Sequence, residues 1–328
     1  MKHLTILIPD GQSTLSTVAC ITGAAEMFTE ANAYLRKTGR EPLFTIELGG
    51  AVERSEIYNG HITLTPTAPV SQIKRSDLII IPSTLIRSYE TASKGNQELI
   101  QWVIGQYKEG AEIASMCAGT FVLATAGLLD GKSCSTHWSF ENNFRTLFPN
   151  VNLQIGKLIT DEDGIYTNGG AYSFLNLLIY LIEKHYDRPT AIYCSKIFQV
   201  DIDRQSQSPF SIFAGQRSHG DDVIREAQVY IENNLHEKIS TETLSARFAL
   251  GRRNFDRRFI KATGNTPLEY QQRVKVESAK RAFETSRKTV NEVMYEVGYS
   301  DIKAFREVFK KFTGLPPLDY RGRYNSKA

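Results

Sequence analysis

Along the first 200 residues, short apolar runs alternate with stretches in which apolar positions recur every three or four residues. Leu4 to Ile8, Leu43 to Leu48, Leu78 to Ile81 and Glu112 to Met116 read as buried strands, with helices over 17–36 and 97–108. Near-continuous apolar strands separated by helices predict an α/β sandwich, a parallel sheet covered on both faces. After residue 200 the pattern changes. Residues 201–220, DIDRQSQSPFSIFAGQRSHG, are rich in Ser and Gln and lack a sustained apolar period, which predicts a linker. Within it Pro209, Phe210, Ile212 and Phe213 point to partial packing against a domain. Helical periodicity then fills the remainder, so the chain divides into 1–200, 201–220 and 221–328.

The last segment repeats itself. An offset of 50 places Phe255 on Phe305, Phe259 on Phe309, Lys261 on Lys311, Thr263 on Thr313 and Gly264 on Gly314. It continues with Pro267 on Pro317, Leu268 on Leu318, Tyr270 on Tyr320 and Arg273 on Arg323, nine identities in 19 positions, so one supersecondary unit occurs twice. In the first copy a short helix from Thr241 to Ala249, with Leu244, Ala246 and Phe248 inward, breaks at Gly251 before a second helix from Arg252 to Ala262. In the second, Val290, Val293 and Val297 line the first helix, Gly298 makes the turn, and Ser300 or Asp301 caps the next. Both are helix-turn-helix units in an all-α domain. The segment joining them, Pro267 to Thr285, has no internal Gly or Pro and predicts one helix of about 28 Å. Such a rod can present two helices to adjacent turns of B-DNA, whose major-groove faces on one side recur about every 34 Å.

Composition sharpens this picture. Hydrophobic residues make up 41% and charged residues 23%, which fits neither a disordered chain nor a membrane bundle. The longest apolar stretch, Ala171 to Ile182, contains Ser173 and Asn176 and is too short to span a bilayer, so no membrane partner is expected. The net charge of +3 conceals a division. Residues 219–328 hold 21 Lys and Arg against 15 Asp and Glu, whereas residues 1–218 hold 18 against 21. A basic last third is an electrostatic footprint for polyphosphate, although a solvated helical surface has the same composition. Cys20, Cys117, Cys134 and Cys194 lie far apart without a C-x-x-C pair, which predicts neither a disulfide framework nor a metal site and agrees with the cytoplasm. No cofactor is called for.

The pattern from Thr241 to Arg323, ending in GYSDIKAFREVFKKFTGLPPLDYR, resembles the DNA-binding domain of AraC/XylS-type regulators over about the last 110 residues. By position in the repeat, Arg253, Asp256 and Arg257 in the first copy, with Lys303, Arg306 and Glu307 in the second, are candidates for reading base edges. Arg or Lys donates to guanine, and Asp or Glu accepts from cytosine. Arg252, Arg258, Lys261, Lys310 and Lys311 are candidates for phosphate contact, which sets register without reading sequence. The Phe255/Phe259 and Phe305/Phe309 pairs are read as core.

In the first segment the run IASMCAGTFVLATAGLLDGK reads as strand, sharp turn and helix, with Cys117 at the turn. That placement has the mechanics of a nucleophile elbow, and a helix N-terminus there would favour a thiolate. Together with CSTHW at 134–138, this stretch resembles the ThiJ/PfpI superfamily over roughly Lys2 to Phe198, implying a flavodoxin-like fold similar to class I glutamine amidotransferases. The resemblance also exposes a gap. Where related enzymes tend to carry an acid, this chain offers Cys20, which cannot serve as a charged acceptor at neutral pH. Ala118 stands where peptidase-like members place a histidine, leaving His137 as the remaining base candidate. Asp10, Ser83 and Asn168, at the expected ends of strands, complete the candidate ligand pocket with Cys117, Cys20 and His137. Gly169 and Gly170 read either as a place of close backbone approach or as an ordinary tight turn.

The fusion implies a sequence-specific regulator acting on double-stranded DNA, an activator by family habit, with a non-catalytic sensor domain for a small metabolite and a homodimeric assembly. Two alternatives stay open at this stage. One is a cysteine-dependent hydrolase or hydratase carrying an accessory DNA-binding module; the other is a nonspecific architectural protein.

Overall fold

The strand β1 (Lys2–Ile8) alternates its side chains between two cores. The structure, a computed structural model, describes residues 1–11, 14–57, 60–217 and 219–325. It comprises two units, Met1–Gln207 and Ser208–Ala328. The first unit continues with α1 (Leu15–Lys37), β2 (Phe44–Gly50), β3 (Ser55–Ile57), β4 (Ile62–Leu64), β5 (Ala68–Pro69) and β6 (Leu78–Ile81). Next come α2 (Lys94–Lys108), β7 (Glu112–Met116), α3 (Thr120–Thr125), β8 (Ser133–Cys134), α4 (Glu141–Leu147) and β9 (Asn152–Leu153). The hairpin β10 (Ile159–Glu162) and β11 (Ile165–Asn168) leads into α5 (Phe174–His185) and α6 (Arg188–Phe198).

Seven strands pair in the order β10-β11-β7-β6-β1-β2-β5, parallel throughout except for β10 against β11. Ile6 lies opposite both Leu48 and Ile80, which fixes the register of the central strands. Leu4, Ile6 and Ile8 enter one core with Phe28 of α1 and Leu177 and Leu181 of α5. Leu7, Ile79, Ile81 and Ile113 enter the other with Leu99 and Val103 of α2 and Phe121 of α3. Burial on both faces is what makes these strands read as unbroken apolar runs. The bounds of β6 and β7 are those the sequence predicts. Helix α2 begins three residues earlier than predicted, because the Ser93 hydroxyl caps it by accepting the Asn96 N–H at 3.2 Å.

The second unit is all-α: α7 (Asp222–Asn233), α8 (Thr241–Arg247), α9 (Arg252–Thr263), α10 (Pro267–Thr285), α11 (Val290–Glu296), α12 (Ile302–Thr313) and α13 (Pro317–Tyr324). The two repeats carry separate cores. Phe255 and Phe259 pack with Ile224, Leu244 and Tyr270, whereas Phe305 and Phe309 pack with Phe283, Val293 and Tyr320. Their local devices match as well. The Thr263 and Thr313 hydroxyls each donate to the carbonyl one turn back at 2.8 Å, and Gly264 and Gly314 stop their helices at φ 68° and 73°. Asp301 is the residue that caps α12, accepting from the Ala304 N–H at 2.9 Å. One inward assignment is corrected: Ala246 is exposed and Ser245 is buried in its place, because α8 ends at Arg247 and turns its last residues outward.

The stretch read as a linker is divided between the units. Gln205 accepts the Leu158 N–H at 3.0 Å, and Ser206 forms an antiparallel bridge with Lys157, so 201–207 extend the edge of the first unit. From Ser208 onward the described residues lie on the second unit. Among the described residues, no helix is long and apolar enough to cross a membrane.

Candidate effector site and nucleic-acid interface

Cys117 follows β7 directly and sits at φ 54°, in the left-handed region that side chains avoid. Two hydrogen bonds hold it there. The Thr136 hydroxyl donates to its carbonyl at 2.9 Å, and the Thr120 hydroxyl donates to the same carbonyl at 3.1 Å. Gly119 permits the sharp turn, since a Cβ at that position would lie 2.6 Å from the Pro82 carbonyl oxygen at the end of β6. The strand-turn-helix geometry is therefore that of an elbow.

The thiol inside it differs from the thiolate that the helix N-terminus suggests. Cys117 is only 5% exposed, and burial pushes its pKa up despite hydrogen bonds from the Ser83 side chain and the Ala118 backbone. Helix α3 has only six residues and follows a 3-10 turn, so little macrodipole is available to offset desolvation. Cys20, fully buried in α1, is pushed up to about 12, first by desolvation and also by the proximity of Cys117, with the Ser83 backbone opposing. Ser83 thus touches both thiols, and its carbonyl accepts the Thr17 hydroxyl proton at 2.6 Å. All four cysteines are free and buried.

The structure gathers Cys117, Cys20 and Ser83 but leaves the other pocket candidates elsewhere in their bonding. His137 caps the short turn 138–140, its Nδ1 lying 2.8 Å from the Ser139 hydroxyl, and its ring packs beside Trp138 and Phe140. Burial lowers its pKa. The hydrogen bonds of this remaining base candidate run to Ser139 rather than to Cys117. Asp10 uses its backbone to pair with the Asn96 side chain at 2.8 and 2.9 Å. Asn168 is not a rim residue: it is fully buried, and its Nδ2 donates to Leu158 and Ser173. Gly169 resolves as a place of close approach, but to Gln207, whose Nε2 would lie 2.2 Å from an added Cβ. Gln207 fills the space under this turn. Its Nε2 donates to the Thr136 and Ile155 carbonyls at 2.8 and 2.7 Å, and its Oε1 accepts the Trp138 N–H at 3.2 Å. Its polar surroundings in sequence conceal this role; the hints of packing there were the nearby Pro209, Phe210, Ile212 and Phe213.

In the second unit, Arg253, Arg257, Lys303, Arg306 and Glu307 are exposed on α9 and α12, opposite the buried phenylalanines. Lys261, Lys310 and Lys311 are exposed at the ends of the same helices. Asp256 is half-buried and lies 4.0 Å from Arg252, which also pairs with Glu242. Arg258 is corrected from a phosphate contact to a structural ion pair. It is half-buried, and Asp221, the cap of α7, holds it through two hydrogen bonds.

Comparison with known proteins gives the same two parts. The DJ-1/PfpI family matches residues 29–179, and a helix-turn-helix domain matches residues 244–323. The two domains, in this order, are similar to those of AraC/XylS-type regulators that carry a DJ-1/PfpI domain. Among these regulators, the HTH-type transcriptional regulator GbdR of Pseudomonas aeruginosa is 24% identical over 93% of this chain and 81% of its own. The HTH-type transcriptional regulator GlxA of Rhizobium meliloti is 26% identical over 66% of this chain and 67% of its own. A solved structure of a candidate transcriptional regulator protein from Vibrio parahaemolyticus shares the fold of 60% of the chain. It has a TM-score of 0.51 and 22% identity, and 98% of that protein is covered.

Proposed function

We propose that the protein is a sequence-specific, DNA-binding transcriptional regulator whose first unit binds a small metabolite without turning it over. The observation that carries this reading is the pair of matched helices α9 and α12, each presenting exposed basic side chains opposite a buried phenylalanine pair. Base reading falls to Arg253, Arg257, Lys303, Arg306 and Glu307, and phosphate contact to Lys261, Lys310 and Lys311. The effector site is placed at the Cys117 elbow with Ser83 and Cys20 as its neighbours. Among the described residues no base is bonded to this neutral thiol, which supports sensing over hydrolysis. Homodimerisation brings two such units to two half-sites, and the cytoplasm is where DNA and free thiols coexist.

The test is selection of duplexes from a random pool by the full chain, with and without a cell metabolite extract. Enrichment of one sequence, altered by the extract, is expected. Equal retention of all duplexes at fixed salt would identify a nonspecific binder. Turnover of an amide or nitrile substrate that Cys117→Ala abolishes would restore the enzyme reading.

A further inference from the structure

The two repeats have separate hydrophobic cores, and α10 runs through both: Tyr270 belongs to the first, Phe283 to the second. A second connection runs beside it. Residues 208–217 and 219–221 pass from the second repeat to the first, making contacts in chain order with each element on the way. The Pro209 carbonyl accepts the Tyr324 hydroxyl proton at 3.2 Å, and the Phe210 ring sits beneath the Arg323 guanidinium at 4.7 Å. The Ser211 carbonyl accepts from Lys280 Nζ at 2.5 Å, and the Phe213 N–H donates to Glu277 Oε2 at 3.1 Å.

Further along, the Phe213 ring meets Tyr270 edge-on at 5.3 Å. Arg273 lies near the rings of both Phe213 and Phe312, so this segment meets α12 through that side chain as well as directly at residues 208–210. Gly215, at φ 69°, passes so near Tyr270 that an added Cβ would sit 2.6 Å from its hydroxyl. The Gln216 side chain accepts from Asn265 just beyond α9, and Asp221 holds Arg258 on α9 itself. Lys280 is only 4% exposed, and its ammonium divides its bonds between Glu277 and the Ser211 carbonyl. A buried ammonium needs such partners, so the docked segment is part of the fold of α10.

We infer that residues 208–217 and 219–221 form a positioning strap: together with α10 they fix the orientation of α9 relative to α12, and hence the spacing of base contacts that the protein accepts. This rests on the DNA-binding reading above and adds which residues set spacing. Phe213, Lys280 and Asp221 are its positioning residues, none of which reads bases. The same segment joins the two units in sequence, so a force on it acts on the distance between the recognition helices.

The experiment uses the full chain and the duplex enriched by selection, together with versions carrying one extra base pair between the two contacted segments. One base pair rotates the second segment by about 34°. The parent protein is expected to lose about tenfold or more in affinity on insertion, and Phe213→Ala to lose less than about threefold, with weaker binding to the parent duplex. An equal insertion penalty in both proteins would overturn the inference. Asp221→Asn is the milder variant, and the exchanged pair Asp221→Arg with Arg258→Asp should restore the penalty.

Amide hydrogen exchange provides a readout without DNA. In the parent, the Phe213 N–H should be protected; in Lys280→Met, 208–217 should exchange fast while the amides of α9 and α12 remain slow. Unprotected exchange of Phe213 in the parent would sink the strap whatever the DNA result. If selection enriches no sequence, the regulator reading falls and exchange still decides whether the strap is docked.

Discussion

Asp221 grips Arg258 at two points, Oδ2 to Nε at 2.8 Å and Oδ1 to Nη2 at 2.6 Å. The guanidinium holds the Asp221 carboxyl below its ordinary range. The carboxylate's contribution to stability is therefore present above the usual carboxylate pKa and is lost as the pH falls below it. Because this arginine is already paired, Arg258→Ala should leave the slope of log affinity against log salt unchanged while lowering thermal stability. Lys310→Ala should reduce that slope by about 1. A reduced slope for Arg258→Ala would return this residue to the phosphate contacts.

Arg253 and Lys303 stand at equivalent positions in the two recognition helices. Replacing either with Ala should relax discrimination at one base position by about 1 to 3 kcal/mol and leave the other positions intact. Competition among singly substituted duplexes measures this. A uniform loss across all duplexes would move both residues to the backbone contacts.

The Cys117 thiol is neutral and shielded, so native protein at pH 7 should react with iodoacetamide at least about tenfold more slowly than a free small thiol. Mass spectrometry of the labelled peptide reads this directly. Rapid labelling would show an activated thiolate and revive the catalytic reading.

His137 and His185 both have their pKa lowered from 6.5 by burial, His185 while lying 3.4 Å from Glu112. The unfolded chain binds these protons more readily than the folded one. Stability is thus fully present above about pH 6.5 and declines as the pH falls towards the folded values. Denaturation midpoints of the full chain between pH 7.5 and 5 should drop, and His137→Gln should flatten the curve. An unchanged slope in that variant would count against a buried neutral His137.

Gly119→Ala forces a methyl group against the Pro82 carbonyl, and Gly169→Ala forces one against Gln207. Each should destabilise the first unit by about 1 to 3 kcal/mol. Gln207→Gly combined with Gly169→Ala should recover part of the second loss, because the clashing amide is then absent. Urea denaturation of the three variants tests this, and no recovery would mean that the obstruction lies elsewhere.

The central strands of the first unit and the repeat helices of the second were legible because their causes are local. Unbroken apolar runs mark β6 and β7, a period of 3.6 marks α9 and α12, and the 50-residue offset reveals the duplicated unit before any coordinates. Side-chain identity also located Cys117 at the turn between β7 and α3. Its protonation state was not legible there, since desolvation depends on how closely Ser83, Cys20 and the facing turns pack around it.

Arg258 shows the same division on the other unit. As one arginine on a basic helix it looks like its neighbours, and only the fold brings Asp221, 37 residues away in sequence, into contact with it. Likewise 208–217 have no apolar period because the strap is held by single anchors, a ring, a carbonyl and a glycine, placed against residues more than 50 positions distant. Sequence alone determined the central strands, the repeat helices and the basic faces, which follow from backbone geometry and charge. Tertiary structure decided which charges are paired, that the elbow thiol stays neutral and which polar stretch is fastened down, because those depend on partners that chain order does not place nearby.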